Sequence, residues 1–86
     1  MTKEDIKLKI ITMDGVFFSD SVYEIILTTD IGQITVLPGH IPLISKIKEG
    51  EVVLRMGKDE KKIKVSSGVL EVRPHSEVYL LVDRAE

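Results

Sequence analysis

The sequence predicts a single all-β domain, a β-sandwich or flattened barrel, over residues 1–86. Short apolar runs recur at about 8–10-residue spacing, and turns rich in Gly, Pro, Ser or Asp separate them. No segment carries the sustained i, i+3, i+4, i+7 apolar pattern of an amphipathic helix. The length of 86 residues fits one domain, and the chain contains no repeat or linker. These observations predict eight or nine short strands.

Four strands are predicted in the first half of the chain. Residues 6–10 alternate aliphatic side chains with lysines, which is the pattern of a half-buried strand. Residues 16–18 are a short apolar run that the polar residues 19–21 end. Residues 22–28 are a β-branched and aromatic run, and residues 33–37 form a further apolar strand.

The fourth strand ends at a turn that contains proline and glycine. Pro38 has no backbone donor and Gly39 tolerates a positive φ, so the strand cannot continue through them. Pro42 then favours an extended backbone at Ile41. A strand, a turn and a second apolar segment therefore follow one another within residues 32–44.

The second half contains the clearest hairpin of the sequence. Residues 52–56 alternate in polarity, residues 62–65 return with lysines outward, and the polar residues 57–60 form the tip. The remaining segments are a stretch without clear period at 44–48, strands at 69–73 and 78–82, and the turn Pro74-His75-Ser76 between these two strands.

Composition excludes several classes of function. The net charge of −2 and the pI near 5.7 argue against nucleic-acid binding, which normally needs a basic surface. The absence of cysteine excludes a disulfide framework and a thiolate metal site. No apolar run reaches the roughly 20 residues that span a bilayer, and the polar N-terminus lacks an apolar signal region. We therefore expect a soluble domain whose link to any membrane runs through a partner.

A search for chemistry finds no catalytic or cofactor motif. His40 and His75 are the only histidines, too few for a zinc site without cysteine. His40 is open to a turn-packing role or a protein contact, whereas His75 is expected to be a plain turn residue. The serines lie at turns and none stands in a Gly-x-Ser-x-Gly motif, and the glycines form no phosphate-binding motif.

Surplus apolar surface points instead to a binding partner. Each strand of a small two-layer sandwich needs one core face, yet several runs are apolar on both faces. We therefore favour a protein-interaction module. A free-standing β-sandwich that binds a ligand or a protein, and a small hydrolase, remain alternatives. The runs with two apolar faces are 16–18, 25–27, 34–37 and 78–82.

Several motifs resemble the epsilon subunit of the F-type rotary ATP synthase. The most specific is Pro38-Gly39-His40-Ile41-Pro42 with the strand before it, which is similar to the Pro-Gly-His-Ala-Pro stretch of that family. Further matches follow in the family's order and cover nearly the whole chain. They are Phe17-Phe18-Ser19, Glu49-Gly50 before Val52, Gly68-Val69-Leu70-Glu71-Val72, and Asp83-Arg84-Ala85-Glu86.

The resemblance implies a ten-stranded β-sandwich that is a non-catalytic subunit of the central stalk. Such a domain links the gamma subunit to the membrane c-ring and supports coupling of proton or sodium flow to ATP synthesis. It implies no cofactor, no metal and no substrate of its own, and a peripheral place on the cytoplasmic face of the bacterial inner membrane. The helical hairpin that family members usually carry after the sandwich is not expected in these residues. The positions that match the ring-facing region are Asp30, Ile31, Gly32, Gln33 and His40.

Overall fold

The computed structural model describes residues 5–86, which form one curled sheet of nine strands. Residues 1–4, part of the polar N-terminus noted in the sequence, lie outside the described residues. A 3₁₀ turn, Pro74–Ser76, separates the last two strands. The strands are β1 Ile6–Thr12, β2 Gly15–Val22, β3 Glu24–Thr29, β4 Gly32–Val36, β5 Leu43–Ile47, β6 Gly50–Met56, β7 Asp59–Val65, β8 Gly68–Arg73 and β9 Glu77–Val82.

The strand order is β2-β1-β9-β8-β5-β3-β6-β7, with β4 paired to β3. All neighbouring pairs are antiparallel except β1 and β9, which run parallel. The sheet curls until its two edge strands approach, and Lys61 of β7 places its ammonium 5.5 Å from the centre of the Phe18 ring of β2. The predicted all-β sandwich therefore has the form of a half-barrel, a curled sheet that remains open.

The core follows from alternation along the strands. In β1 the side chains of Ile6, Leu8 and Ile10 are buried and the two lysines between them are exposed. The same alternation recurs in β3, β8 and β9, where aliphatic residues at every second position enter the interior. The buried aliphatic residues are Ile6, Leu8, Ile10, Val22, Ile25, Leu27, Val36, Ile47, Val52, Leu54, Ile63, Val65, Leu70, Val72, Val78, Leu80 and Val82.

The strand pairing defines two ends of the domain. Thr29 pairs with Ile47, Ile47 with Gly68, and Gly68 with Val82, so these residues lie at one end. We call it the tip end, because the hairpin turns at residues 13–14 and 30–31 project there. The opposite end carries the connection between β4 and β5, residues 37–42, which we call the β4–β5 loop. The 3₁₀ turn lies at this same end, which we call the loop end.

Two expectations about individual strands are wrong. Residues 43–47 form β5, although their sequence lacks a clear period. The period is obscured because the polar Ser45 faces inward between Leu43 and Ile47. The polar residues 19–21 do not end a strand, since Ser19 and Ser21 pair with β1 and continue β2. An edge strand accepts polar residues because one of its edges faces solvent.

The last residues extend the sheet by one rung. Ala85 forms an isolated antiparallel bridge with Val65, and Lys64 and Glu86 exchange two backbone hydrogen bonds of 2.8 Å. The described residues thus form nine strands and this one isolated bridge, close to the ten strands that the resemblance implies. The helix propensity of Arg84-Ala85-Glu86 is therefore overridden by pairing with β7.

Candidate functional site

The β3–β4 hairpin presents the first group of predicted contact residues. Thr29 is buried, and its hydroxyl donates to the carbonyl of Gly32 at 2.9 Å and accepts the amide of Ile31 at 3.2 Å. Gly32 has a φ of 124°, which closes the turn in a conformation that favours glycine. The hydroxyl bonds fix the tip, so Asp30 and Ile31 project from a rigid base, with Ile31 91% exposed.

Four of the five predicted ring-facing residues lie together at the tip end. Asp30, Ile31 and Gly32 form the turn, and Gln33 is exposed next to them, paired with Thr28. His40 lies at the loop end. The β3–β4 pairing separates the two positions by at least four residues, about 14 Å at the usual rise of a strand. The structure therefore does not bring His40 to the tip.

His40 belongs to a type II turn in the β4–β5 loop. Its amide donates to the carbonyl of Leu37 at 3.1 Å, with Pro38 and Gly39 at the central positions and a φ of 80° at Gly39. The Nδ1 atom of His40 lies 2.7 Å from the carbonyl oxygen of Ile41, so this ring nitrogen carries the proton and donates it. These bonds give His40 the turn-stabilising role that the sequence left open.

A second candidate surface runs across the outer face of the sheet. Ile11 pairs with Val16 on one side and with Leu81 on the other, and Leu81 pairs with Val69. Ile44 of β5 lies diagonally next to Val69, because Lys46 is the residue directly opposite. We call these five side chains, Val16, Ile11, Leu81, Val69 and Ile44, the apolar row.

The apolar row is accessible to a partner. Val16 is 60% exposed, Leu81 44% and Ile44 72%, whereas Leu80, next to Leu81 along the chain, is fully buried. The β4–β5 loop, which precedes Ile44 along the chain, carries two further exposed aliphatic side chains, Leu37 at 50% and Ile41 at 74%. A continuous apolar surface across five strands is typical of an interaction site. Two residues of the row, Val16 and Leu81, belong to runs that the sequence indicated to be apolar on both faces.

Polar side chains border the apolar row. Arg73 forms an ion pair with Glu71 at 3.1 Å, and its guanidinium lies 4.2 Å from the centre of the Tyr79 ring. The hydrogen bond that Arg73 donates to the Glu71 carboxylate raises the pKa of Arg73 above its ordinary value. An apolar centre with a polar border is the usual composition of a protein interface.

The other classes of site find little support in the described residues. Within 5–86, no cluster of three or more His, Cys, Asp or Glu side chains could hold a metal ion, and no helix is long and apolar enough to cross a membrane. A cavity of about 780 Å³ at the tip end has Phe17 as its one aromatic lining residue among those described. A carbohydrate or aromatic-ligand site would need more aromatic surface.

Within residues 5–86, the side-chain hydrogen bonds also give no sign of a hydrolase triad. His40 faces the carbonyl of Ile41, and the hydroxyl of Ser76 accepts the amide of Gly39 at 2.8 Å. A nucleophilic serine would instead need a histidine within hydrogen-bond reach.

Sequence reasoning missed the apolar row because its members are ordinary as single residues. Ile11, Val69 and Leu81 each occupy an outward position of a strand whose other outward positions are polar. Only the pairing of β1, β9 and β8 places them side by side. The available signal was the excess of apolar residues over what one core face needs, which does not identify the strands.

Comparison with known proteins matches the whole described chain. Residues 5–86 match the family described as "ATP synthase, Delta/Epsilon chain, beta-sandwich domain". The chain is 40% identical over 85 residues to the ATP synthase epsilon chain of Clostridium kluyveri, 42% over 79 residues to that of Prochloron didemni, and 36% over 81 residues to that of Alkalihalophilus pseudofirmus. These alignments cover 96%, 92% and 94% of this chain, and 63%, 57% and 60% of the relatives. The chain thus spans about 60% of the length of the curated relatives it matches.

Solved structures share the fold. A chain in the cryo-EM structure of the Euglena gracilis mitochondrial ATP synthase matches with a TM-score of 0.91 at 20% identity, over 100% of this chain and 55% of that chain. A chain in the central stalk and c-ring structure of the Tetrahymena thermophila mitochondrial ATP synthase matches with a TM-score of 0.82 at 10% identity, over 100% of this chain and 69% of that chain.

Proposed function

Because the chain belongs to the family of β-sandwich domains of ATP synthase delta and epsilon chains, we propose that it is a non-catalytic subunit of the central stalk of an F-type ATP synthase. In this role it links the gamma subunit to the c-ring and supports the coupling of ion flow to ATP synthesis. It lies at the cytoplasmic face of a bacterial inner membrane and reaches the membrane through its partners. The family match over residues 5–86 is the observation that carries this proposal.

The apolar row is the surface that we assign to the gamma subunit. A subunit that turns with the stalk needs a long-lived contact, and long-lived interfaces are more apolar than transient ones. The row offers a contiguous aliphatic surface with Val16 at one edge and Ile44 at the other, and Arg73 with Glu71 forms part of its polar border. The β4–β5 loop extends this surface through Leu37 and Ile41.

The β3–β4 tip is the surface that we assign to the polar loops of the c-ring. Asp30 and Gln33 supply polar contacts and Ile31 an apolar one, all on a turn that the Thr29 hydroxyl fixes. A rigid tip loses little conformational freedom when it binds. His40 lies at the opposite end of the β3–β4 hairpin, so we place it in the gamma-facing loop instead.

Co-purification tests the proposal directly. The tagged chain is expressed with gamma and with the c-ring, and each complex is isolated. We expect the wild-type chain to retain gamma, and Leu81→Glu to lose it, because a charge in the centre of an apolar interface is desolvated without a partner. Thr35→Glu is the matched control, since it adds the same charge at an exposed position of β4, outside the apolar row. A wild-type chain that never associates with gamma would overturn the proposal.

A further inference from the structure

Two consecutive residues at the loop end adopt an unusual backbone conformation. His75 has φ 66° and ψ 32°, and Ser76 has a φ of 58°. Residues other than glycine rarely adopt left-handed φ and ψ angles, because their Cβ atom crowds the backbone. Strain of this kind persists only when surrounding contacts hold it, and it gathers at functional positions.

The Ser76 side chain forms the contact that accompanies this strain. Ser76 is buried, with 8% of its surface exposed, and its hydroxyl oxygen accepts the amide hydrogen of Gly39 at 2.8 Å. The left-handed backbone sets the direction of the Ser76 Cβ, which carries the hydroxyl towards the β4–β5 loop. The bond thus joins the β8–β9 connection to the β4–β5 loop, between residues that are 37 positions apart.

Gly39 is a sensitive point at which to hold the loop. It occupies the third position of the type II turn, between Leu37 and His40, which share the turn's own hydrogen bond. A Cβ added at Gly39 would meet no atom within 4 Å, so packing does not fix the chain at this residue. The hydrogen bond from Gly39 to Ser76 instead ties this residue of the turn to the β8–β9 connection.

We propose that Ser76 is a positioning residue that presets the β4–β5 loop for docking, a role that rests on the proposed contact with gamma. With the bond formed, the loop that carries the exposed Leu37 and Ile41 is held in one arrangement ahead of Ile44 in the chain. Without it, the loop samples other shapes and only a fraction of molecules is ready to bind. The apparent affinity falls by that fraction.

Two substitutions separate this role from general stability. Ser76→Gly removes the hydroxyl and relieves the left-handed strain at the same residue. His75→Asn is the control, because asparagine tolerates the left-handed region and leaves the Ser76 hydroxyl in place. We expect neither variant to lower the melting temperature appreciably. NMR spectra of both variants should show the strand pairing of the wild-type chain.

The first measurement is the exchange rate of the Gly39 amide in the isolated chain. We expect Ser76→Gly to raise this rate about fivefold, the factor set by the loss of one typical hydrogen bond. His75→Asn is expected to leave the rate at the wild-type value. An unchanged Gly39 rate in Ser76→Gly would overturn the inference, whatever the chain binds.

The second measurement is the affinity for gamma. We expect Ser76→Gly to bind several-fold more weakly than wild type and His75→Asn to bind as wild type does. Faster Gly39 exchange with unchanged affinity would overturn the docking role of Ser76 and leave the proposed function in place. A wild-type chain that fails to bind gamma would instead overturn the proposed function and with it the docking role, while the exchange data would still report on the hydrogen bond.

Discussion

Gly68 is a position of β8 at which β9 leaves no room for a side chain. A Cβ at this position would lie 2.0 Å from the carbonyl oxygen of Leu81 and 2.8 Å from Cγ1 of Val82. Both distances are well inside van der Waals contact, and the carbonyl belongs to backbone that is paired in the sheet. Glycine is therefore required at this position because no larger residue fits beside β9.

Substitution of Gly68 should be among the most damaging small changes in the domain. We expect Gly68→Ala to lower the free energy of unfolding by about 2–4 kcal/mol, since β9 must move to admit the methyl group. Gly57→Ala is the comparison, because Gly57 has a φ of 66° but open space around its Cβ. It should cost only about 1 kcal/mol, the price of the left-handed backbone. Urea titration of both variants measures the difference, and equal losses would refute the steric explanation.

Thr29 offers a test of the tip. We expect Thr29→Val, which keeps the shape and removes the hydroxyl, to cost about 1–2 kcal/mol through the two lost bonds to Ile31 and Gly32. Thr29→Ser keeps the hydroxyl and should preserve the tip geometry. Chemical shifts of Ile31 and thermal unfolding report on both variants. A Thr29→Val protein with wild-type Ile31 shifts would show that the hydroxyl does not fix the turn.

At the scale of the element, β9 separates stability from binding within two adjacent residues. Leu80 is fully buried and Leu81 is 44% exposed in the apolar row. We expect Leu80→Asp to unfold the domain, because an unpaired buried charge costs several kcal/mol, a large part of the stability of a small domain. Leu81→Asp should remain folded and lose gamma. Circular dichroism and co-purification distinguish the two outcomes, and a folded Leu80→Asp would contradict the assignment of faces.

Strand recognition from sequence depended on what each strand buries. The alternation of β1 is readable because lysines mark its outer face, and the β6–β7 hairpin is readable for the same reason. The strand β5 is not readable from the sequence, since Ser45 occupies an inward position and Ile44 an outward one. At these two positions the polar side chain faces inward and the apolar one outward, so the local sequence indicates the wrong face.

The candidate site, like the strands, was predictable from the sequence only in part. The tip at Asp30–Gln33 was predictable because it is a single stretch of sequence, and the structure keeps those residues together. His40 was grouped with them through its place in the motif, yet the hairpin carries it to the other end. The apolar row combines residues from five strands, so it depends on a strand order that a single sequence does not reveal.

At the scale of the whole molecule, we propose different partners for the apolar row and the β3–β4 tip, so a change at one surface should spare the other. We expect Gln33→Ala to reduce ATP-driven ion pumping in membranes while the melting temperature and the gamma complex stay unchanged, because Gln33 is exposed at the tip end. Pumping measured against ATP hydrolysis in the same membranes gives the coupling ratio. A Gln33→Ala enzyme with a wild-type ratio would remove Gln33 from the ring contact.

The parallel pairing of β1 with β9 also governs when this domain can fold. Lys7 pairs with Glu77 and Ile11 with Leu81, so β1 lies between β2 and β9, the ninth strand along the chain. A nascent chain on the ribosome can form the β1–β2 hairpin early, but the other edge of β1 stays open until β9 emerges. Contacts this distant in sequence slow folding, and unpaired edges invite aggregation. Translation speed and chaperone supply should therefore affect the yield of this small domain more than its size suggests.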